Sequence, residues 1–140
     1  KGRNIFADGA VYEGDWIDGE IHGKGKYTWL NGNVYEGDFV NSLFHGKGKK
    51  TWSNGAVYEG DWKDDEMHGK GRTYDPNDKS GYEGDFVNSL FHGKGKNIFA
   101  DGTVHEGNWK NGDQHGQGKL TKPDGTIILG EWKNGIFIDN

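Results

Sequence analysis

Three residue sets recur at fixed phase along the 140-residue chain, and each has the chemistry of a reactive or ligand-binding site. His22, His45, His68, His92 and His115 are of the type that ligates zinc. Zinc ligands must converge to about 2.0–2.1 Å from one ion, whereas residues at one phase of an array, two strands apart, are separated by about 9–10 Å. These histidines therefore read as structural residues opening the second strand of each repeat. Glu13, Glu36, Glu59, Glu83 and Glu106 suggest acid–base chemistry. A catalytic pair needs environments that push two pKa values apart, and repetition supplies five similar ones. Nor does a Ser-His-Asp set stand out. The Gly-Lys-Gly-Lys units lack the G-x-x-x-x-G-K-[ST] spacing and the following helix of a phosphate loop. In Asp75 to Gly81, Lys79 takes a calcium-ligand position and Ser80 the one that requires glycine. The expectation is a chain without catalytic residues, metal site or cofactor, and not an enzyme.

The basic row of Lys24, Lys26, Lys47, Lys49, Lys70, Arg72, Lys94 and Lys96 has the types that bind nucleic acid or phosphoinositide headgroups. Acidic stretches alternate with it, and 17 basic against 22 acidic residues leave a formal charge of −5. That balance argues against nucleic acid and gives membrane lipid little electrostatic support. The row reads as a solvated, self-neutralised face. With no cysteine there is no disulfide framework. No apolar run is long enough to span a membrane as a helix, and no signal peptide is visible. The expected location is cytoplasmic, or peripheral at a membrane or the cytoskeleton.

All these residues are positioned by one repeating stretch, Tyr12-Glu13-Gly14-Asp15-Trp16 followed by His22-Gly23-Lys24-Gly25-Lys26. Its first residue returns as Tyr35, Tyr58, Tyr82 and His105, at steps of 23, 23, 24 and 23. A fixed period in this range marks a repeat architecture. The chain divides into a partial repeat 1–11, repeats 12–34, 35–57, 58–81, 82–104 and 105–127, and a partial repeat 128–140. It lacks an initiating Met and opens inside a repeat, which predicts a piece of a longer array. Asn-Gly, Asp-Gly or related pairs punctuate it at alternating spacings of 10 and 13, and such pairs favour type I′ turns with positive φ at both central residues. Between them lie Val, Tyr, Trp, Thr, Phe and Ile without helical periodicity. The prediction is all-β: an elongated single-layer antiparallel meander, or solenoid, of about thirteen short strands.

The stretch Y-E-G-D-W, a short turn, H-G-K-G-K and an Asn-Gly or Asp-Gly turn resembles the MORN (membrane occupation and recognition nexus) repeat. The resemblance covers nearly the whole chain. It implies one β-hairpin per repeat and a scaffold or docking role, with membrane association or attachment to a catalytic domain as family alternatives.

Apolar residues are only 31% of the chain while glycines number 26, too few large aliphatics for a thick core. A thin sheet resolves this if aromatic rings lie over bare glycine backbone. Period two sends Tyr12, Gly14 and Trp16 to one face and Glu13 and Asp15 to the other. Tyr12, Gly14, Tyr35, Gly37, Tyr58, Gly60, Tyr82, Gly84 and Gly107 are thus the expected structural positions. Two segments, Tyr35–Lys49 and Tyr82–Lys96, are identical over fifteen residues, and both place Val, Leu and Phe around a hairpin tip. A curved single layer predicts exposed aromatics, and exposed aromatic patches mark interaction sites. The candidate partner-binding residues are Trp16, Trp29, Phe39, Leu43, Phe44, Trp52, Trp62, Phe86, Leu90, Phe91, Phe99 and Trp109. The expected partner is a protein segment, a peptide or amphipathic helix, and unpaired end strands add self-association as a homodimer or end-to-end oligomer. Proline in Thr73–Gly81, with one extra residue, predicts a longer loop or bulge, and a possible bend, in the third repeat.

Overall fold

Every connection in this chain is short, so each strand pairs with its neighbours in sequence. In the computed structural model, which describes residues 2–138, the strands form one 13-stranded antiparallel sheet in sequence order. The first six are β1 (Gly2–Ile5), β2 (Val11–Ile17), β3 (Glu20–Thr28), β4 (Val34–Val40), β5 (Leu43–Thr51) and β6 (Val57–Lys63). Then come β7 (Glu66–Asp75), β8 (Ser80–Val87), β9 (Leu90–Ile98) and β10 (Val104–Lys110). The last are β11 (Asp113–Thr121), β12 (Ile127–Lys133) and β13 (Ile136–Ile138). There is no helix among the described residues.

Two kinds of turn alternate, and only one is the type I′ turn expected at every Asn-Gly or Asp-Gly. Within a repeat, both central residues have positive φ, as in Asp18 (49°) and Gly19 (81°) or Asn41 (49°) and Ser42 (65°). Between repeats only the glycine does, as in Gly9 (89°). There the Asp8 carboxylate accepts the Ala10 amide at 3.0 Å, and the Gly9 amide bonds the Phe6 carbonyl at 2.9 Å. The acidic side chain replaces the second left-handed residue by bonding its own backbone. The expected longer loop or bulge does not form: the proline-containing connector, residues 76–79, is one residue shorter than the other loops between repeats, its ladder has no register shift, and the strand order is not interrupted. β7 and β8 gain an extra pair, Asp75↔Ser80, and Pro76 lies outside both strands. Asn77 Nδ2 ties it to the preceding loop through the Asn54 carbonyl at 2.8 Å.

Inside each hairpin the straight period-two pattern slips once. Gly14 pairs with Gly25 but Trp16 with Ile21, so Asp15 faces the extra residues His22 to Lys24. The Asp15 carboxylate accepts the Lys24 amide at 3.2 Å. Asp38, Asp61 and Asp85 do the same for Lys47, Lys70 and Lys94 at 3.0–3.1 Å. Gly23 sits at φ +87°, and a side chain there would meet Asp15. In the first four full repeats one aspartate thus closes one bulge, a device that bends and twists a strand pair, and Asn108 takes that position in the fifth.

The core is a chain of rings along the other face. Tyr12, Tyr35, Tyr58 and Tyr82 are buried, and each phenol donates to the carbonyl three residues on, at 2.7–2.9 Å. Burial pushes these phenols up, keeping them protonated as donors. Each ring covers a glycine of the partner strand: a Cβ on Gly25, Gly48, Gly71 or Gly95 would lie 2.0–2.3 Å from the phenol oxygen. Neighbouring repeats then interlock edge to face, Tyr12 on Phe39, Tyr35 on Trp62, Tyr58 on Phe86 and Tyr82 on Trp109, with centroids 5.2–5.6 Å apart. The Trp62 and Trp109 indoles also donate to the Gly48 and Gly95 carbonyls at 3.0 Å. Such pairs add about 0.5–1.5 kcal/mol each beyond the area they bury.

The ring-over-glycine contact separates steric from conformational cost. Gly48 has no unusual φ but no room, while Gly19 has room at φ +81°. Gly48→Ala is expected to cost about 3 kcal/mol through overpacking, and Gly19→Ala about 1 kcal/mol through left-handed strain. Urea unfolding of the two variants measures this; equal losses would show that the Tyr35 ring yields and does not clamp the glycine.

Candidate functional site

The face opposite the rings carries two charged rows, and the register pairs them. Glu13↔Lys26, Glu36↔Lys49, Glu59↔Arg72, Glu83↔Lys96 and Glu106↔Lys119 are direct cross-strand neighbours. In the second row Lys24, Lys47 and Lys70 reach the carboxylates of Asp38, Asp61 and Asp85 in the next repeat. Burial pushes these three carboxyls up, but the lysine bonds and the strand amides outweigh it and hold them below the usual range. Three of the basic row's lysines are thus committed to internal partners, which leaves less free positive charge for an anionic ligand. The five histidines do not open the second strands but stand third in them, and no group of three metal-ligating residues forms among the described residues.

The candidate residues divide by burial. Phe39, Trp62, Phe86 and Trp109 are buried and belong to the ring chain, so they offer a partner no surface. Sequence reasoning assumed a layer too thin to hide them; interlocking of adjacent repeats hides them. Trp16, Trp29, Trp52 and Phe99 are half-buried, and Leu43 and Leu90 are exposed. Phe44 and Phe91 turn inward from the hairpin tips and stack on Tyr35 and Tyr82, at centroid distances of 3.9 and 3.8 Å. They join the ring chain between adjacent repeats, touching Trp62 and Trp109 as well, and are half-buried. Tyr12, Tyr35, Tyr58 and Tyr82 lie in the core, and Gly14, Gly37, Gly60, Gly84 and Gly107 pair with the glycines of the second strands.

At each tip the exposed leucine pairs across the turn with a valine, Val40↔Leu43 and Val87↔Leu90. The tip between them carries Lys63↔Glu66. The two apolar tips are four strands apart, about 19 Å. Two surface features were not legible as part of a site. Lys50 lies among Trp29, Trp52 and Phe44, and Ile127 and Leu129 are exposed on the charged face, Leu129 opposite Lys119 where other repeats carry glutamate. The first depends on loop tryptophans from two repeats meeting over one strand. The second was visible as a substitution at a repeat position. A depression on the charged face, about 520 Å³, is lined by Val57, Arg72, Tyr74, Glu83 and Ile98 among others, and has no convergent catalytic set.

A family model described as MORN repeat matches residues 12–34, 35–57, 58–79, 82–104 and 105–127. No curated protein matches the chain in sequence. One solved structure similar to it is the SAS-4 (dCPAP) TCP domain in complex with a proline-rich motif of Ana2 (dSTIL), from Drosophila melanogaster. The identity is 10% and the TM-score 0.47, over 94% of this chain and 90% of that one.

His105 is the one member of the ring chain able to gain a charge near neutrality. It fills the tyrosine position, fully buried, with edge-to-face contacts to Trp109 and Trp132 and no hydrogen bond to either ring nitrogen. Burial pushes its pKa down. The unfolded chain then binds the proton more readily, so stability is retained above about pH 6.5 and falls as pH drops below it, by at most about 1.4 kcal/mol per pH unit. His105→Tyr is expected to remove that component and to supply a phenol for the Asn108 carbonyl. Urea unfolding of both proteins at pH 7.5 and 5.0 tests this; an unchanged pH dependence in the variant would place the sensitivity elsewhere.

Proposed function

Because the chain belongs to the MORN repeat family, we propose that it is a noncatalytic interaction module, a scaffold whose sheet docks a segment of a partner protein. One observation carries this reading: two identical fifteen-residue segments each raise an exposed leucine at a hairpin tip, beside a half-buried phenylalanine, with a charged tip between them. Hairpin tips are ordinarily polar, and a repeated apolar exception marks a contact surface. An amphipathic helix rises about 1.5 Å per residue, so three to four turns would span the tips. Its apolar residues would recur at i, i+3, i+4 and i+7, as in groove-bound helices. Self-association through the edge strands is compatible with the same role, as is service as the targeting arm of a larger enzyme. The membrane reading has less support, since Lys24, Lys47 and Lys70 already face carboxylates. A cytoplasmic setting, at a membrane or cytoskeletal periphery, fits such a module.

The leucines allow a cleaner test than the phenylalanines, whose truncation would unstack Tyr35 and Tyr82. Peptides of about fifteen residues selected from a random display library on the wild-type chain serve as probes. Leu43→Ser with Leu90→Ser is expected to weaken their binding at least tenfold by fluorescence anisotropy, with the unfolding midpoint nearly unchanged. Hot-spot truncations commonly cost 2 kcal/mol or more. Full binding by a folded double variant would remove the tips from the docking surface.

A further inference from the structure

One cation without a salt-bridge partner, Lys50, differs from the exposed lysines in being half-buried among rings, and it lies beside an apolar tip. Lys50 is opposite Tyr35 in the β4–β5 ladder, where the other repeats put Tyr27, Thr73, Asn97 and Leu120. None of those carries a charge, so the fold does not need one there. The Lys50 ammonium is 5.1 Å from the Trp29 ring centroid, 5.2 Å from that of Trp52 and 5.9 Å from that of Phe44. Two indoles and a phenyl ring thus surround it, an arrangement that stabilises a cation through the ring faces. No carboxylate among the described residues pairs with it. Asp65 attracts it from a distance, but its carboxylate accepts the Phe44 amide at 2.8 Å. Burial consequently pushes the lysine's pKa down.

A half-buried ammonium loses part of its hydration, and no protein acceptor replaces that loss for its three N–H donors. The ring faces supply attraction but no hydrogen-bond acceptor of ordinary strength. A carboxylate can supply it, through charge-assisted bonds of about 2.7–2.9 Å. The surroundings also define what must flank that carboxylate. Trp29 and Trp52 are half-exposed on either side, and Phe44 joins the cluster to the Leu43 tip. We propose that Lys50, framed by Trp29, Trp52 and Phe44, is the anchor for an aspartate or glutamate of the partner segment, flanked by apolar residues that lie on the two indoles. This rests on the docking reading above and deepens it by giving the partner a charge and a register. The duplicate hairpin has Asn97 in place of Lys50 and Asp75 in place of Trp29, so it offers no second anchor. One acidic residue would thereby decide which tip each end of the partner meets, a use of a single polar contact to fix orientation.

The competing explanation is a lysine stem that merely covers ring edges while its head seeks water. Lys50→Met keeps that cover and removes the charge, and Leu120 at the equivalent position shows that the fold accepts an apolar residue. Library-selected peptides are the probes, measured by anisotropy on the wild type, Lys50→Met and the exposed-lysine control Lys110→Met. The proposal expects selected peptides to carry an acidic residue. Its replacement by glutamine or asparagine should weaken binding at least fivefold on the wild type and leave it unchanged on Lys50→Met, with Lys110→Met behaving as wild type. In parallel, phenylacetate at millimolar concentration should shift the Trp29 and Trp52 indole signals in NMR spectra, while phenylacetamide, or phenylacetate with Lys50→Met, should not. Equal losses on wild type and Lys50→Met, or no shift with phenylacetate, would overturn the anchor. Peptides indifferent to Lys50 but dependent on Leu43 and Leu90 would overturn the anchor alone; peptides indifferent to all three, or none selected, would overturn the docking reading as well. Lys50-dependent retention on phosphatidylserine vesicles without coupling to peptide acidity would assign the anion to lipid and refute the protein carboxylate.

Discussion

A tyrosine ring lying on a glycine of the neighbouring strand is the contact on which this structure depends. A single-layer sheet has no second layer to bury its apolar face, so its own side chains must do so. The ring reaches diagonally across the ladder to a position with no Cβ, and its hydroxyl bonds the carbonyl three residues along its own strand. The tyrosine is thereby tied at both ends and leaves its upper surface to the Trp or Phe of the next repeat. Burial is achieved between repeats, and stability is then a sum of neighbour terms, as in other one-dimensional arrays. A glycine content that would suggest disorder in an ordinary domain is here what lets the rings sit close to the backbone.

The same contact explains why the opposite face is electrostatically quiet. The tyrosine's bond to the aspartate carbonyl holds that residue at the bulge, with its carboxylate on the strand amide and beside the next repeat's lysine. Asp38 does all of this at once: carbonyl to Tyr35, carboxylate to the Lys47 amide and to the Lys24 ammonium. Surface ion pairs of this kind contribute little each, but their order matters for function. A regular row of opposite charges paired within the molecule has little left to distinguish one ligand from another. On the docking reading proposed above, recognition would draw on exposed or half-buried places where the repeat is broken, among them Leu43, Leu90, Lys50 and Leu129.

Much of the fold was legible because its signals are local and repeated. The 23-residue period, the alternation of 10 and 13 between turns, and Glu opposite Lys required only spacing and period two. The type of the between-repeat turn was not legible, because Asp8-Gly9 and Asp18-Gly19 read alike; what differs is whether the loop has room for the Asx bond to Ala10. The bulge was missed because nothing in His22-Gly23-Lys24 announces a residue too many until Asp15 is placed opposite. The candidate site was legible in type and only partly in exposure. Phe39 and Phe44 are both aromatic in the same hairpin, yet one is buried and the other half-buried, since their covering rings come from residues 12 and 62. Sequence separation of about one repeat hides such partners from any local reading.

The two identical segments show how far identity of sequence falls short of identity of site. Tyr35–Lys49 and Tyr82–Lys96 fold alike, with Phe44 and Phe91 stacked on their tyrosines at nearly the same distance. Their surroundings come from flanking repeats that differ. The first hairpin is bordered by Trp29, Lys50 and Trp52, and the second by Asp75, Asn97 and Phe99. A partner symmetric enough to bind both tips would find a cation among three rings at one and an amide with an acidic loop at the other. In an array where every strand repeats its neighbour but one, the difference between two such tips cannot be written in the backbone. Here it is written in the residues just outside the duplicated unit, where a change leaves the ring-over-glycine contact intact while altering what the surface presents.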